Sequence, residues 1–390
     1  MSDAFDVAVV GAGVVGLAAA VGLREAGFSV CLIERAKALP GYDANAYDPR
    51  VYAIAPSAAR FLQTLKVWDE IAATRACACH AMQVWSRNPA QGLNFTSDAL
   101  DQSPLNWIVE HRLLVHALSR HLNGVEQRFG HSVEALSLSD EGASLKLSDH
   151  QTVNAELIVC AQGGDASLRE MAGLDVVGWE YGQTAVVCHL HTQQPHDGKA
   201  LQRFVDGSVL AFLPLADGRR SIVWSLPDAE AQGIKALSDQ AFLLRLRVAI
   251  QDQLGELSSP TRRLSFALRL QHAPRYVTDR FALIGDSAHV VHPLAGQGLN
   301  LGLADAQCLI NQVALARSMM RQWWAVRTLS RFERTRRAAN LEMAAVTDLL
   351  GRTFASDHGV VRNAARLGMY FAGQSSPLKR SLQRAAQYRN

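Results

Sequence analysis

A glycine-rich turn that begins at residue 11 constrains the fold of this chain more than any other feature. Residues 5–10 form a short apolar run of β-branched character, and residues 11–16 then read G-x-G-x-x-G before an alanine-rich stretch. This order predicts a strand, a tight turn and a helix. Gly11 permits the turn, Gly13 lets the backbone approach a pyrophosphate, and Gly16 lets the helix lie close to the strand.

An acidic residue completes this nucleotide-binding pattern. The next apolar run, residues 29–33, ends at Glu34, which lies 18 residues after Gly16. A carboxylate at the end of the second strand accepts hydrogen bonds from an adenosine ribose and would repel a 2′-phosphate. The free N–H groups and the dipole of the helix would face the phosphates. The sequence therefore predicts a Rossmann-like unit that binds a dinucleotide, without distinguishing FAD from NAD.

A second strand, loop and helix pattern lies in the last third of the chain. Residues 281–284 read as a strand, residues 285–300 read GDSAHVVHPLAGQGLN, and residues 301–310 read as a helix. Asp286, just after the strand, can hold a ribityl hydroxyl group, and the glycine loop before the helix offers N–H donors to an anion. A helix start aimed at the anionic ring of a reduced flavin would stabilise it by up to ~2 kcal/mol.

Together these motifs resemble those of the class A flavoprotein monooxygenases, and within them the flavin hydroxylases of ubiquinone biosynthesis. The resemblance rests on GAGVVGL with Glu34 and Arg35, and on GDSAHVVHPLAGQGLNLGLADA at residues 285–306. Weaker matches lie at residues 48–54, 108–112, 210–215 and 331–334. The resemblance implies FAD as the cofactor, NAD(P)H as the expected reductant, and O₂ and a prenylated phenol as substrates.

The resemblance also implies which residues hold the cofactor. Glu34 and Arg35 would contact the adenosine, Arg50 and Arg112 would lie along the flavin and its phosphates, and Asp286 would bind the ribityl-pyrophosphate region. The loop from Gly296 to Asn300 would cradle the isoalloxazine ring. The expected cofactor-binding residues are Gly11, Gly13, Gly16, Glu34, Arg35, Arg50, Arg112, Gly285, Asp286, Pro293, Gly296, Gln297, Gly298, Leu299 and Asn300.

The reaction implied by the resemblance is hydroxylation of a polyprenylated phenol on the route to ubiquinone. A flavin C4a-hydroperoxide would transfer one oxygen atom to the aromatic ring, so the cofactor carries the difficult step. His292 and Pro293 are the catalytic candidates, although a histidine before a proline is as easily a structural hydrogen-bonding residue. Two rival interpretations stay open: a flavin-dependent isoprenoid reductase and a non-catalytic FAD-binding subunit of a biosynthetic complex.

One family motif departs from its usual form. Such enzymes usually carry G-A-D-G-x-x-S-x-x-R, and the matching residues 160–169 keep only Gly163 and Arg169 of that pattern. Gln162 stands where the aspartate is expected; it forms hydrogen bonds but carries no charge. The departure indicates either altered docking of the reductant or neutral drift at a tolerant loop, and the electron donor is left open.

The expected fold is α/β and similar to that of p-hydroxybenzoate hydroxylase. It combines a discontinuous Rossmann-like FAD-binding domain (residues 1–74, 101–178 and 276–337), a β-sheet substrate domain (75–100 and 179–275) and a helical C-terminal region (338–390). Alternation of polar and apolar residues supports the strands. The candidate pocket walls are Phe212, Leu213, Pro214 and Trp224, although each, judged alone, is more typical of plain core.

Composition excludes several classes of protein. A chain with 48% hydrophobic and 19% charged residues can bury a large core, so disorder is not expected. The uncharged run 7–23 is broken by four glycines and is short for a membrane span. Six cysteines without a secretory leader suggest reduced thiols in the cytoplasm, and their spacing supplies no metal site.

The end of the chain is strongly basic. Residues 317–390 carry 14 Arg or Lys against 4 Asp or Glu. This charge suits peripheral contact with the inner membrane surface, contact with other ubiquinone-biosynthesis proteins, or simply a solvated helix face. Nucleic-acid binding has no other support in the sequence and is not expected.

Overall fold

The computed structural model describes residues 4–97, 103–165, 167–205, 207–291 and 297–355, with side chains described as far as residue 345. The strands in these ranges are β1 (Ala4–Val10), β2 (Val30–Glu34), β3 (Val51–Ile54), β4 (Cys77–Cys79), β5 (Ala81–Trp85), β6 (Leu93–Thr96), β7 (Asn106–Glu110), β8 (Val125–Phe129), β9 (Val133–Ser139), β10 (Gly142–Leu147), β11 (Thr152–Cys160), β12 (Val177–Thr192), β13 (Lys199–Val205), β14 (Ser208–Pro214), β15 (Arg220–Pro227), β16 (Leu257–Ser258), β17 (Leu264–His272), β18 (Val277–Thr278), β19 (Phe281–Leu283) and β20 (His289–Val290).

Helices lie between groups of these strands along the chain. They are α1 (Val14–Glu25), α2 (Pro56–Thr64), α3 (Trp68–Arg75), α4 (His111–Ser119), α5 (Ser167–Met171), α6 (Asp228–Ala236), α7 (Asp239–Ala249), α8 (Gly298–Ser318) and α9 (Val326–Ala355). Short 3₁₀ turns occupy Pro89–Gln91 and Gly285–Ser287. None of the helices in the described ranges is long and apolar enough to cross a membrane.

The first large sheet contains the predicted Rossmann-like unit. Its strands run in the order β18-β19-β11-β1-β2-β8, and β9 and β10 extend it from β11. β1 is parallel to both β2 and β11, and β19 is parallel to β11. The residues of β1 from Val7 to Val10 are fully buried, as expected for a parallel strand covered on both faces. We call this sheet and its helices the flavin domain.

Two glycines allow α1 and α8 to pack closely over this sheet. A Cβ atom at Gly22 would touch Ile310 of α8, and one at Gly302 would lie 2.7 Å from Val15 Cγ2. The two helices that follow β1 and the second glycine loop therefore lie side by side, because only glycine leaves room for the partner helix.

The second large sheet runs in the order β20-β17-β12-β15-β14-β13-β5-β6, with β16 paired to β12. Helices α6 and α7 pack against one face, where Phe212, Trp224 and Phe242 belong to one buried apolar cluster. The sequence predicts a single helix over residues 238–254 here. The structure instead has α6 before it, and α7 begins after Ser238, whose Oγ caps the Ala241 N–H group. We call this sheet the substrate sheet.

A small sheet and one long helix complete the described part of the chain. β3, β7 and β4 form a three-stranded sheet in that order. α9 is a continuous helix of 30 residues that crosses position 338, where the sequence suggests a boundary. Its Met343 and Ala344 pack against Leu270, Val291 and Leu301. The remainder of the predicted helical C-terminal region, residues 356–390, lies outside the described residues, and the domain bounds stay a prediction.

Candidate functional site

The predicted site residues meet at one edge of the flavin domain. β1, β2, β11 and β19 are parallel, so their carboxyl ends lie along the same edge of the sheet. Gly11, Glu34, Gln162 and Gly285 each follow or end one of these strands. Ligands of open α/β sheets bind at this edge. The structure therefore brings together motifs that are 274 residues apart in the sequence.

The first glycine turn has the geometry that a nucleotide needs. Gly11 has φ +108°, and a Cβ atom there would clash with the Ala161 carbonyl group. A Cβ atom at Gly16 would clash with the carbonyl oxygen of Gly11. Gly13, the residue before α1, has nothing within 4 Å of its added Cβ, and no side chain caps this helix. The start of α1 thus presents free N–H groups to open space, as pyrophosphate binding requires.

Glu34 supports this turn with its carboxylate. Its two oxygens accept hydrogen bonds from Ala12 N–H at 2.8 Å and Ala36 N–H at 2.9 Å. Each oxygen keeps a further lone pair, so a ribose hydroxyl group can still bind there. Arg35 is largely exposed and pairs with Asp165 at 2.9 Å, which connects the end of β2 with the loop after β11. The sequence analysis did not single out Asp165 as a partner of Arg35.

Asp48 holds the two arginines that the sequence predicts beside the flavin. Its buried carboxylate accepts hydrogen bonds from the backbone N–H groups of Arg50 at 3.0 Å and Arg112 at 3.2 Å, and it lies 3.6 Å from Arg112 Nε. Its own N–H group donates to Glu110, which pairs with Arg75. Both predicted arginines remain exposed. The sequence analysis missed Asp48, although it lies within one of the matched segments.

Asp286 lies in a cleft beside these arginines. The side chain is solvent-exposed, yet protein atoms surround it densely enough that desolvation raises the pKa of its carboxyl group. His289, Arg50 and Arg269 act on this pKa in the opposite direction. Arg269 reaches over from β17 of the substrate sheet and lies against Gly164. The sequence analysis did not find Arg269, because a strand 17 residues before Asp286 gives no local signal of its proximity.

A buried network supports the turn that carries Asp286. Asp305 of α8 accepts hydrogen bonds from the Gly285 N–H group at 3.1 Å and Arg336 Nε at 2.7 Å, and it contacts His289 Nε2 at 2.5 Å. Burial alone would raise the pKa of Asp305, but His289 and Arg336 outweigh it and hold this pKa at about 2. Asn340 of α9 joins the network through Asp305 and Arg336. We call these residues the Asp305 network.

The Asp305 network extends to a neutral histidine. Tyr276 Oη lies 3.3 Å from both Asn340 Nδ2 and His272 Nδ1. Desolvation, reinforced by His289, lowers the pKa of His272 to about 4, so this ring is neutral at pH 7. The turn at Gly285 is therefore supported by a network of charged and polar side chains from α8, α9 and β17.

The start of α8 offers a second anion-binding position. Gln297 precedes the helix without a side-chain cap, no acidic residue lies in its first turn, and an added Cβ at Gly298 meets no atom of the described residues within 4 Å. Leu299 is packed in the main core. Asn300 donates to Ala53 O and accepts from Ala55 N–H, so its amide fixes α8 to the segment between β3 and α2. His292, Pro293 and Gly296 lie outside the described residues.

The loop after β11, which carries the altered motif, is hydrogen-bonded to the turn after β19. Gly163 has φ +67°, and its carbonyl oxygen accepts a hydrogen bond from Ser287 Oγ at 3.2 Å. The buried Arg169 donates to Ser287 O at 3.4 Å. Gln162 itself is half-buried. The backbone of the loop is therefore anchored to the turn after β19 by residues other than Gln162.

Strand alternation separates the four predicted pocket residues. Phe212 and Trp224 have at most 2% of their surface exposed and lie in the core beneath α6 and α7, so they offer no surface to a ligand. Leu213 points to the opposite face of the sheet and packs near Tyr47 and Ala53. Pro214 is buried at the end of β14. The sequence analysis grouped consecutive residues, but successive side chains of a strand point to opposite faces.

Comparison with known proteins identifies the family to which this chain belongs. Residues 4–345 match the family model described as "FAD binding domain". A ubiquinone hydroxylase of Rhodospirillum rubrum is 36% identical over 389 residues, covering 98% of this chain and 89% of that protein. This chain belongs to the FAD-binding flavoprotein hydroxylases. Within them it belongs to the ubiquinone-hydroxylase group that its motifs indicate, and FAD is its cofactor.

Two further comparisons support the family and the fold. The 3-demethoxyubiquinol 3-hydroxylase of Escherichia coli is 32% identical, with 96% of each chain covered. The crystal structure of p-nitrophenol 4-monooxygenase from Pseudomonas putida superposes with a TM-score of 0.78 at 19% identity, with 100% of both chains covered. The expected α/β architecture with a second, β-sheet region and a helical C-terminal element is confirmed.

The residues of this site fit FAD. The Gly11 turn has no room for a side chain, whereas Gly13 and Gly298, at the starts of uncapped helices, have no atom of the described part of the chain within 4 Å of an added Cβ. One helix start suits a pyrophosphate and the other suits a ring that gains negative charge on reduction. Asp286, Arg50 and Arg112 supply further polar groups at the site.

Proposed function

We propose that this chain inserts one oxygen atom from O₂ into the ring of a polyprenylated phenol in ubiquinone biosynthesis. One observation carries the proposal: two glycine turns, each leading into a helix without a side-chain cap, lie at the same edge of the sheet. The chain that has this arrangement is related to ubiquinone hydroxylases. When bound, FAD supplies the reduced ring that activates O₂. The residues of the chain must bind and orient this cofactor and the phenol, and exclude water.

The cofactor-binding residues named from the sequence are part of this proposal. Gly11 and Gly13 let the pyrophosphate approach α1, and Glu34 receives the ribose hydroxyl groups. Asp286 receives the ribityl chain. The N–H groups at the start of α8 stabilise negative charge on the ring, because the helix dipole is positive there.

The charged residues at the site have separate roles in this proposal. Asp48 fixes the backbone of Arg50 and Arg112, whose exposed guanidinium groups would pair with the anionic parts of FAD when it is bound. The substrate sheet contacts the flavin domain through His189 Nε2 and Asp48 O at 2.9 Å. A sheet placed across the site in this way limits the access of water to the reacting ring. His292 and Pro293 stay candidates for assisting the chemistry.

The reductant and the contacts of the protein are also proposals. NAD(P)H is the electron donor that suits the family, and it would approach the loop that carries Gln162. The basic residues after position 317 suit contact with an anionic membrane surface, where a prenylated phenol resides, or with other enzymes of the route. In either arrangement the protein is peripheral, on the cytoplasmic side of the inner membrane.

Isotope labelling tests the proposed reaction. Purified FAD-loaded protein is supplied with NAD(P)H, ¹⁸O₂ and a prenylated phenol, and the product is analysed by mass spectrometry. We expect a product that carries one ¹⁸O atom in a new hydroxyl group on its ring, while the second ¹⁸O atom is released as water. A product that gains two hydrogens and no oxygen would favour an isoprenoid reductase. Protein that keeps FAD but gives no product with any reductant or partner would favour a non-catalytic subunit.

A further inference from the structure

The carboxyl end of α8 carries three exposed apolar side chains. In the part of the chain that the structure describes, Leu315, Met319 and Met320 have 47%, 51% and 96% of their surface exposed. The Met319 N–H group donates to Leu315 O at 3.2 Å, so these two residues are one helical turn apart and share a face. We call the three residues the methionine patch. Neighbouring exposed apolar side chains of this size indicate a surface that binds a partner.

The turn after α8 does not itself require a large side chain at position 320. Met320 has φ +53°, in the left-handed region that favours glycine. Its N–H group donates to Arg317 O, and the N–H group of Arg321 donates to Ala316 O. These two bonds form a Schellman motif, in which the left-handed residue is usually glycine. A methionine at this position therefore exposes apolar surface that the fold does not use.

The segment that contains the methionine patch is basic. Residues 306–332 contain four arginines and neither aspartate nor glutamate. All four arginines are exposed: Arg317, Arg321, Arg327 and Arg331. Two carboxylates from other segments contact this one, and both are engaged. Asp6 pairs with Arg317 at 3.2 Å, and Asp279 accepts a hydrogen bond from the first N–H group of α9 at 2.8 Å. The methionine patch therefore lies beside an excess of positive charge.

A second exposed apolar pair shows what this charge adds. Leu244 and Val248, one turn apart on α7, are 63% and 65% exposed. The arginines beside them pair with carboxylates at 3.2 Å and 2.9 Å: Arg245 with Glu230, and Arg247 with Asp252. The α7 surface is therefore apolar with balanced charge, whereas the methionine patch combines apolar side chains with unbalanced positive charge. Only the second combination is complementary to an anionic lipid surface.

We propose that the methionine patch inserts into the headgroup region of an anionic lipid bilayer. Methionine side chains are flexible and adapt to an irregular apolar environment, and the arginines attract anionic headgroups. Since α8 has 21 residues, the patch lies about 30 Å from Gly298, so docking there leaves the flavin site uncovered. This inference rests on the proposed function and deepens it, because it assigns the membrane contact to one surface.

Vesicle flotation of the FAD-loaded full chain tests this assignment. Wild type should bind vesicles of phosphatidylcholine and phosphatidylglycerol in equal parts, and about tenfold more weakly those of phosphatidylcholine alone. Met319→Ser/Met320→Ser should bind the anionic vesicles about tenfold more weakly than wild type, because apolar contacts are lost. Arg321→Gln/Arg327→Gln should show a similar loss. The control variant, Leu244→Ser/Val248→Ser, alters a surface of similar exposure and should bind as wild type does.

A glycine substitution separates membrane contact from stability. Met320→Gly removes the apolar side chain but supplies the residue that the turn favours, so Tm should stay or rise while vesicle binding weakens severalfold. Equal binding of wild type and Met319→Ser/Met320→Ser, or no binding by wild type, would overturn the assignment. A solution dimer that only the methionine variants lose would overturn it in favour of an interface between two copies. Vesicle binding needs no turnover, so a chain that binds through the patch but hydroxylates no phenol contradicts the proposed function alone.

Discussion

The two glycine turns of the site are held in different ways. The turn at Gly11 depends mainly on contacts that are close in sequence: the backbone of residues 11–16 and the carboxylate of Glu34, with the Ala161 carbonyl group, from the loop after β11, packed against it. The turn at Gly285 depends on the Asp305 network, whose members come from α8, α9 and β20. Most of the contacts of the first turn thus lie within β1, α1 and β2. The second requires the packed helices of the whole flavin domain.

The largest expected effect comes from removing the centre of the second support. Asp305→Ala leaves Arg336 and His289 buried without their shared carboxylate, and loss of one partner of such a pair costs about 3–5 kcal/mol. We expect the free energy of unfolding, measured by denaturant titration, to fall by this amount. Glu34→Ala removes the carboxylate that supports the first turn. Because Glu34 is only half-buried, we expect this variant to lower the free energy of unfolding by about 1 kcal/mol. An equal decrease in the free energy of unfolding in the two variants would contradict the difference between the two turns.

A substitution that leaves the fold intact sharpens the comparison at the cofactor. Gly298→Val adds a side chain at a position where no atom of the described residues lies within 4 Å of the new Cβ, so we expect the protein to fold. The side chain would fill the space in front of α8, and we expect FAD affinity to fall by about a hundredfold or more, measured by the recovery of flavin fluorescence on dialysis. A yellow, fully loaded variant would contradict the assignment of this helix start to the flavin.

The pH dependence of stability should separate the surroundings of the two turns. His111, near Arg50 and Asp48, and His272, in the Asp305 network, both have a pKa lowered to about 4 by desolvation. Each is neutral in the folded protein and protonates more readily when unfolded, so Tm should be steady between about pH 6.5 and 8 and fall between pH 6.5 and 4. Below pH 4 a further loss should follow as Asp305 approaches its pKa of about 2.

Variants assign this loss of stability to its sources. His111→Gln and His272→Gln should each flatten part of the decrease between pH 6.5 and 4, and the double variant should flatten most of it. Asp305→Asn should remove only the step below pH 4. Thermal unfolding across the pH range measures these effects. A decrease that persists unchanged in the double variant would assign it to other groups.

The smallest expected effect concerns the loop between the two turns. Since Ser287 and Arg169 anchor this loop, Gln162→Asp should leave FAD binding and Tm unchanged. If the neutral residue alters reductant docking, NAD(P)H-driven reduction of the flavin should become several-fold faster in stopped-flow absorbance measurements. An unchanged rate would indicate neutral drift at this position.

Much of the site could be predicted because its signals are local. Gly11, Gly13, Gly16 and Glu34 follow one another along a single strand–turn–helix–strand unit, in which spacing alone reports proximity. Asp48, Asp165, Arg269 and Asp305 were missed as partners because each acts on a residue distant in sequence or through the backbone. Phe212 and Trp224 were misplaced because a run of apolar residues in a strand does not show which face is covered by helices.

The sequence by itself determined the two glycine turns, the acid at the end of β2 and the family, since these depend on residue types at short fixed spacings. Only the tertiary structure decided which charges meet at the second turn and which face of the substrate sheet is covered by α6 and α7. The physical reason is that strand register and helix packing set the neighbours of a buried charge or an apolar row. Register and packing depend on the whole chain rather than on any short segment.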